Sequence, residues 1–460
     1  MKSKELKSLK EARFDLLKRV KEWIEYKREQ FPKKLKILRH EIALDSAHPL
    51  EWLILQDCPK KIFWENRNQK EQFAGIGSAI DFNCESQGYE KILLEIINLL
   101  ENSSKSIRIF GGTRFDSKVK SSKEWHDWGV AKFTLPMVEL SIVNENITLA
   151  CQIYIGNDIY KNLQDLQKIL ESMRVEDISI PDSPLIKLER IDLPEYKQWC
   201  EIVKKGLKNI SLGKLKKIVL ARSAIFSLAR EYDPNEILLQ LRRQAPQAFH
   251  FCFQLAQNKA FLGITPELLY RRSGKKIESE AIASTRPRGQ TLEEDERLAK
   301  DLVESEKERR EHLMVLERME KLLSQVCKKT ERLSYLERLQ LKHVQHLQSK
   351  VQGILLPKIT DLELLPAFHP TPAVSGTPEP EARNLISKLE PFDRGWYAGP
   401  VGWISFKEAE FAVGIRSGLL SGRVLRIFTG AGIVEGSLPE EEWREIEYKL
   451  QSWQYLLGRT

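Results

Sequence analysis

The stretch Glu278–Met319, ESEAIASTRPRGQTLEEDERLAKDLVESEKERREHLMVLERM, constrains the fold more than any other part of the chain. It ties a short apolar strand, through a turn of small and basic residues, to a long charged helix. On that helix Glu304, Glu308 and Glu311 fall at i, i+4 and i+7, positions that the helical repeat places on one face. Carboxylates in that array suit a hard divalent cation, since Mg²⁺ takes one or two of them and completes its octahedron with water and substrate oxygens. The interleaved Lys307, Arg309 and Arg310 equally suit a solvated face laced with weak ion pairs, so this helix alone leaves both readings open.

A second helix repeats the device near the C-terminus. In GAGIVEGSLPEEEWREIEYKL, the turn residues Gly436, Ser437 and Pro439 precede an acidic first turn, as the helix dipole favours. Glu442, Glu445 and Lys449 then recur at i, i+3 and i+7. Two helices that each present a carboxylate pair can close on one cation from opposite sides.

The remaining sequence bounds the architecture. A chain of 460 residues with 42% hydrophobic and 30% charged residues has the composition of a soluble globular protein with a large core. Its net charge of +8 is spread among interleaved acids and bases, and no nucleic-acid-binding signature or zinc spacing accompanies it, so no nucleic-acid partner is expected. Six scattered cysteines with no CxxC suit a reducing compartment. The N-terminal Leu9, Leu16, Leu17, Val20 and Trp23 recur at helical spacing among charges, which describes an amphipathic helix and not a leader peptide. No run approaches the roughly 20 apolar residues of a membrane span, and the expected location is the cytoplasm.

Taken in order, IFWENRNQKEQFAGIGSAI predicts two strands around a polar turn, and Tyr89 to Leu100 a helix. Gly111 and Gly112 read as a tight bend or bulge, or as backbone lining a ligand. Pro181, Pro184 and Pro194 interrupt regular structure in PDSPLIKLERIDLPEY, which suggests a division into residues 1–190 and 191–460. Beyond it, KIVLARS predicts a strand with Lys217, Val219 and Ala221 on one face, followed by short strands and a helix running to about Lys329. In EFAVGIRSG, strand alternation puts Ala412, Gly414 and Arg416 on one face. Strand groups at both ends of long helices give an α+β class.

These residues also carry a resemblance. KIVLAR, GITPEL, EAIASTRPRG, SEKERREH, HVQHLQSKVQG, HPTPAVSG, FDRGWYAGPVGW, EFAVGIRSG and GAGIVEGSLPEEEWREIEYKL resemble the ordered motif series of the chorismate-utilising enzymes, the isochorismate synthases in particular. The resemblance implies one large domain of extensive antiparallel β-sheets flanked by helices, with residues 1–190 and 191–460 as two parts of it. It also implies a Mg²⁺-dependent site at which water adds to ring carbon 2 of chorismate and the hydroxyl leaves carbon 4. Lys217 matches the family's base position and Glu267 its acid position; taken alone, a strand-end lysine or a glutamate after a proline turn is equally a surface residue.

By the same resemblance Arg416 and Tyr397 bind the enolpyruvyl carboxylate with the backbone of Gly430 and Gly432, while Ser284, Thr285 and Lys449 lie near the ring carboxylate. Glu311 and Glu445 hold the cation, Glu308 and Glu442 orient its water, and Ala281 and His346 complete the substrate pocket. Arg286 and Arg288 need do no more than stabilise the turn. Ser284 departs from the glycine often found there, which narrows the approach to the backbone. An isochorismate synthase for menaquinone, phylloquinone or siderophore pathways is thus expected, as a monomer or weak homodimer. A salicylate synthase and a chorismate-binding subunit serving an amidotransferase are the alternatives.

Overall fold

In the computed structural model, which describes residues 6–32, 36–86, 88–176, 180, 184–340 and 344–458, the run KIVLARSAIFSL forms the strand Lys217–Leu228, buried along nearly its whole length. The side chains of residues 283–285, 287, 307 and 344 also lie outside what is described. That strand belongs to an antiparallel sheet of twelve strands, one of two sheets among the described residues; the other has nine. Helices cover the sheets, and the α+β layout is the one expected.

Strands from the first third of the chain form one end of each sheet. In the larger sheet Lys61–Glu65 pairs with Phe249–Ala256, and in the smaller Arg108–Thr113 pairs with Pro400–Ser405. The two expected strands around Asn66–Gln69 are present as Lys61–Glu65 and Glu71–Ile76, and the expected helix runs Glu90–Glu101. Gly111 and Gly112 lie inside the strand Arg108–Thr113 and not at a bend, and neither lines the cavity described below. A Cβ would lie 2.0 Å from the Lys132 carbonyl at Gly111 and 2.6 Å from that of Pro400 at Gly112, so glycine lets neighbouring backbones approach. Trp125, Trp128, Phe261 and Trp396 pack edge to face in the buried core.

Two sequence expectations change. Pro184 and Pro194 flank a strand, Lys187–Leu193, because the proline-free run between them is long enough to pair with Lys217–Leu228; Pro181 lies outside the described residues. The long charged helix is two helices, Leu292–Glu304 and Glu306–Val326. Ser305 leaves the helical conformation at φ −65°, ψ 117°, and its hydroxyl accepts from Glu308 N at 3.4 Å, capping the second helix. The break ends the register that joined Glu304 to Glu308, and the Glu304 side chain, 65% exposed, lies near Lys300 and not with the other carboxylates. The second helix stops at Val326, where pairing with Val344–Leu355 draws the charged run Cys327–Gln340 into an edge strand. No helix among the described residues is long and apolar enough to cross a membrane.

Candidate active site

The chain passes between the sheets twice at one place. It crosses from Lys259–Thr265 to Leu268–Ser273 through Pro266 and Glu267, and returns from Glu408–Val413 to Ser417–Ser421 through Gly414, Ile415 and Arg416. The crossings are tied together: Val413 N donates to Glu267 O at 3.0 Å and Ile264 N to Arg416 O at 3.2 Å. Arg416 therefore reaches the seam by leaving its strand, with φ at 49° in the left-handed region, and not by the strand alternation expected from sequence. Glu267 and Arg416 line one cavity with Lys217, His346, Tyr397 and Lys449.

Lys217 opens its strand with a side chain only 1% exposed, and its Nζ donates to Glu311 Oε1 at 2.7 Å. The neighbouring strand, Val424–Ile433, sets Gly432 opposite Val219 and Gly430 opposite Ala221. A Cβ at Gly432 would lie 2.7 Å from Glu311 Oε1 and 3.0 Å from Lys217 Cε, so the bare backbone makes room for this ion pair.

Glu267 is buried, and burial pushes its carboxyl up to about 7, against the pull of the Lys217 charge. Thr371 Oγ1 donates to its Oε1 at 3.4 Å. Arg416 faces the cavity deep in the protein, where burial brings its guanidinium down to about 10, partly offset by Glu445. Tyr397 stacks on Phe428 with ring centroids 5.2 Å apart, and burial raises its phenol.

Four carboxylates enter the same cavity from two helices. Glu308 and Glu311 come from Glu306–Val326, Glu442 and Glu445 from Pro439–Leu456. Like charges so gathered need compensation. Glu308 pairs with Arg286 at 2.6 Å, Glu311 with Lys217, and Glu445 at 2.6 Å with Lys449, which also donates to Gly430 O at 2.9 Å. Arg286 thus meets a cavity carboxylate, whereas Arg288 secures the turn through Asp295 at 2.7 Å. These carboxylates offer oxygen donors suited to Mg²⁺. Among the described residues no three acidic, histidine or cysteine side chains converge as a complete metal site; Mg²⁺ needs only one or two carboxylates when water and substrate fill its other positions.

Not every expected residue falls here. Ala281 is fully buried and does not line the cavity; strand alternation gives that place to Ile282. The side chains of Ser284 and Thr285 lie outside the described residues, although the backbone pairs Thr285 with His346 beyond a register shift at Ala283. Thr371, Ala373 and Val374, to which no sequence pattern assigns a role, come to Glu267 or the cavity wall from HPTPAVSG. That motif was visible, but nothing in its spacing announces a partner about a hundred residues away.

The two-sheet fold and its acid-lined cavity, with a lysine at the start of a strand and a buried carboxyl and an arginine at the sheet crossing, are those of an enzyme. The chain belongs to the chorismate binding enzyme family, whose model matches residues 20–458. It is 34% identical over 389 residues to isochorismate synthase 2, chloroplastic, of Arabidopsis thaliana, covering 83% of this chain and 69% of that protein. It is 31% identical to isochorismate synthase MenF of Haemophilus influenzae over 90% of each chain. Anthranilate synthase component 1 of Saccharolobus solfataricus is 34% identical over 81% of this chain and 88% of its own length. The solved structure of the menaquinone-specific isochorismate synthase of Escherichia coli superposes with a TM-score of 0.86 at 27% identity, over 98% of this chain and all of that one.

Proposed function

We propose that this protein is an isochorismate synthase, converting chorismate to isochorismate with Mg²⁺. The observation that carries the reading is the meeting of Lys217, Glu267 and Arg416 with four helical carboxylates in one cavity, and the full-length likeness to isochorismate synthases supports it. Water adds at ring carbon 2 as Lys217 takes its proton; both ring double bonds shift, carbon 1–carbon 2 to carbon 1–carbon 6 and carbon 5–carbon 6 to carbon 4–carbon 5; the hydroxyl leaves carbon 4 as water with a proton from Glu267. A carboxyl raised to about 7 still holds that proton near neutrality. Arg416 and Tyr397 receive the enolpyruvyl carboxylate, and Lys449 the ring carboxylate.

Glu311 and Glu445 would hold the cation, with Glu308 and Glu442 orienting its water. Bound there, the cation would neutralise the ring carboxylate and fix the ring. Supply of menaquinone or siderophore pathways follows the relatives. A cytoplasmic setting is supported by six cysteines that are all free thiols.

The test is incubation of purified protein with chorismate and Mg²⁺, with and without chelator, followed by chromatography. Isochorismate that disappears with chelator is the expected result. Salicylate with pyruvate, or no turnover without an amidotransferase partner, would replace the reading with one of its alternatives.

A further inference from the structure

We propose that His346 is a positioning residue: as a neutral imidazole protonated on Nδ1, it accepts a hydrogen bond from Arg416 and aims that guanidinium into the cavity without neutralising it. The kinetic consequence rests on Arg416 being the carboxylate receptor of the proposed function; the tautomer does not.

Arg416 Nη2 lies 2.8 Å from His346 Nε2. A guanidinium has only donors, so the lone pair of this bond belongs to Nε2 and the ring proton sits on Nδ1. Both partners are held by their backbones. His346 stands in Val344–Leu355 between Thr285 and Leu339 on the flanking strands, and Arg416 is fixed at the sheet crossing by Ile264 N.

The choice of a histidine is informative beside three buried arginines elsewhere in the fold. Arg114 is fastened by Asp393 at 2.7 Å, Arg272 by Asp361 at 2.6 Å and Arg394 by Glu390 at 2.6 Å. In each the carboxylate cancels the charge it holds. Among the described residues Arg416 has His346 as its hydrogen-bond partner and no carboxylate within ion-pair distance, Glu445 acting on it only through space. An imidazole supplies an acceptor with no negative charge, so the arginine is oriented while its cation remains available to an incoming anion.

The experiment uses the full chain carrying heavy-nitrogen-labelled histidine. Nuclear magnetic resonance at neutral pH, with His346→Gln identifying the signal among the 8 histidines, should find Nε2 unprotonated and Nδ1 protonated. With chorismate, His346→Phe should raise KM by about 10- to 100-fold with a smaller change in kcat, as for loss of a charged hydrogen bond. His346→Gln, whose amide oxygen can accept from Arg416, should recover most of that loss. A ring protonated on Nε2, or a folded Gln variant as impaired as Phe, would overturn the proposal. The expected tautomer in a wild-type protein that does not turn over chorismate would uphold the geometry and reject the proposed function.

Discussion

Lys217 Nζ and Glu311 Oε1, 2.7 Å apart, are each other's ion-pair partners, although one is assigned to the base and the other to the cation. A lysine held in this pair is aimed at the carboxylate and not at water. A divalent cation held by Glu311 would share that charge and leave the lysine free to turn to substrate. Glu311→Gln and Glu445→Gln should therefore each abolish turnover and cation binding while circular dichroism stays native. Glu308→Gln and Glu442→Gln should weaken cation affinity by about 10- to 100-fold, read by titration calorimetry. Full activity in either of the first two variants would remove the shared-site account.

Lys217→Gln should lower isochorismate formation by about 10² to 10⁴, the usual contribution of a positioned base. Water needs a base to take its proton as it adds, and a glutamine side chain cannot serve as one. Undiminished isochorismate from the variant would reassign the base.

Gly432→Ala tests the room left for that pair. Its Cβ would press on Glu311 Oε1 at 2.7 Å and Lys217 Cε at 3.0 Å, so activity should fall by about tenfold or more. Stability should change little, because the long side chains can move aside. A variant with wild-type kcat/KM would show that the pair tolerates displacement.

Glu267 ties acid chemistry to stability. Its carboxyl rises from 4.5 to about 7 on folding, so the folded chain holds a proton that the unfolded chain releases first. The stabilisation from this proton is complete below about 4.5 and is lost as pH rises through about 7. The loss is on the order of 3 kcal/mol. Glu267→Gln has no such titration. Denaturant unfolding should find the variant gaining on the wild type between these pH values, and parallel stability curves would contradict the burial argument.

The site was legible where function follows the period of one element. Glu308 with Glu311, and Glu442 with Glu445 and Lys449, could be read from helical spacing, because one turn brings them together whatever the rest of the fold does. Glu304 was misjoined to its neighbours because a serine, here the cap Ser305, is only mildly unfavourable inside a helix. Arg416 sat at a sheet crossing where strand periodicity ends, and Ala281 lost the cavity to Ile282 by one residue of strand phase. Lys217 and Glu267 came from motif resemblance; their burial, and the Thr371 contact, arise from pairing across the fold that no local pattern encodes.

The central claim is that Lys217 directs water, and not ammonia, to ring carbon 2. The direct measurement is mass spectrometry of the product formed from chorismate in heavy-oxygen water, with Mg²⁺ and abundant ammonium at mildly alkaline pH. The account predicts isochorismate carrying one heavy oxygen from solvent, formed by wild-type protein and lost with Lys217→Gln. Unlabelled isochorismate, or an amino-substituted product as the main species, would contradict it.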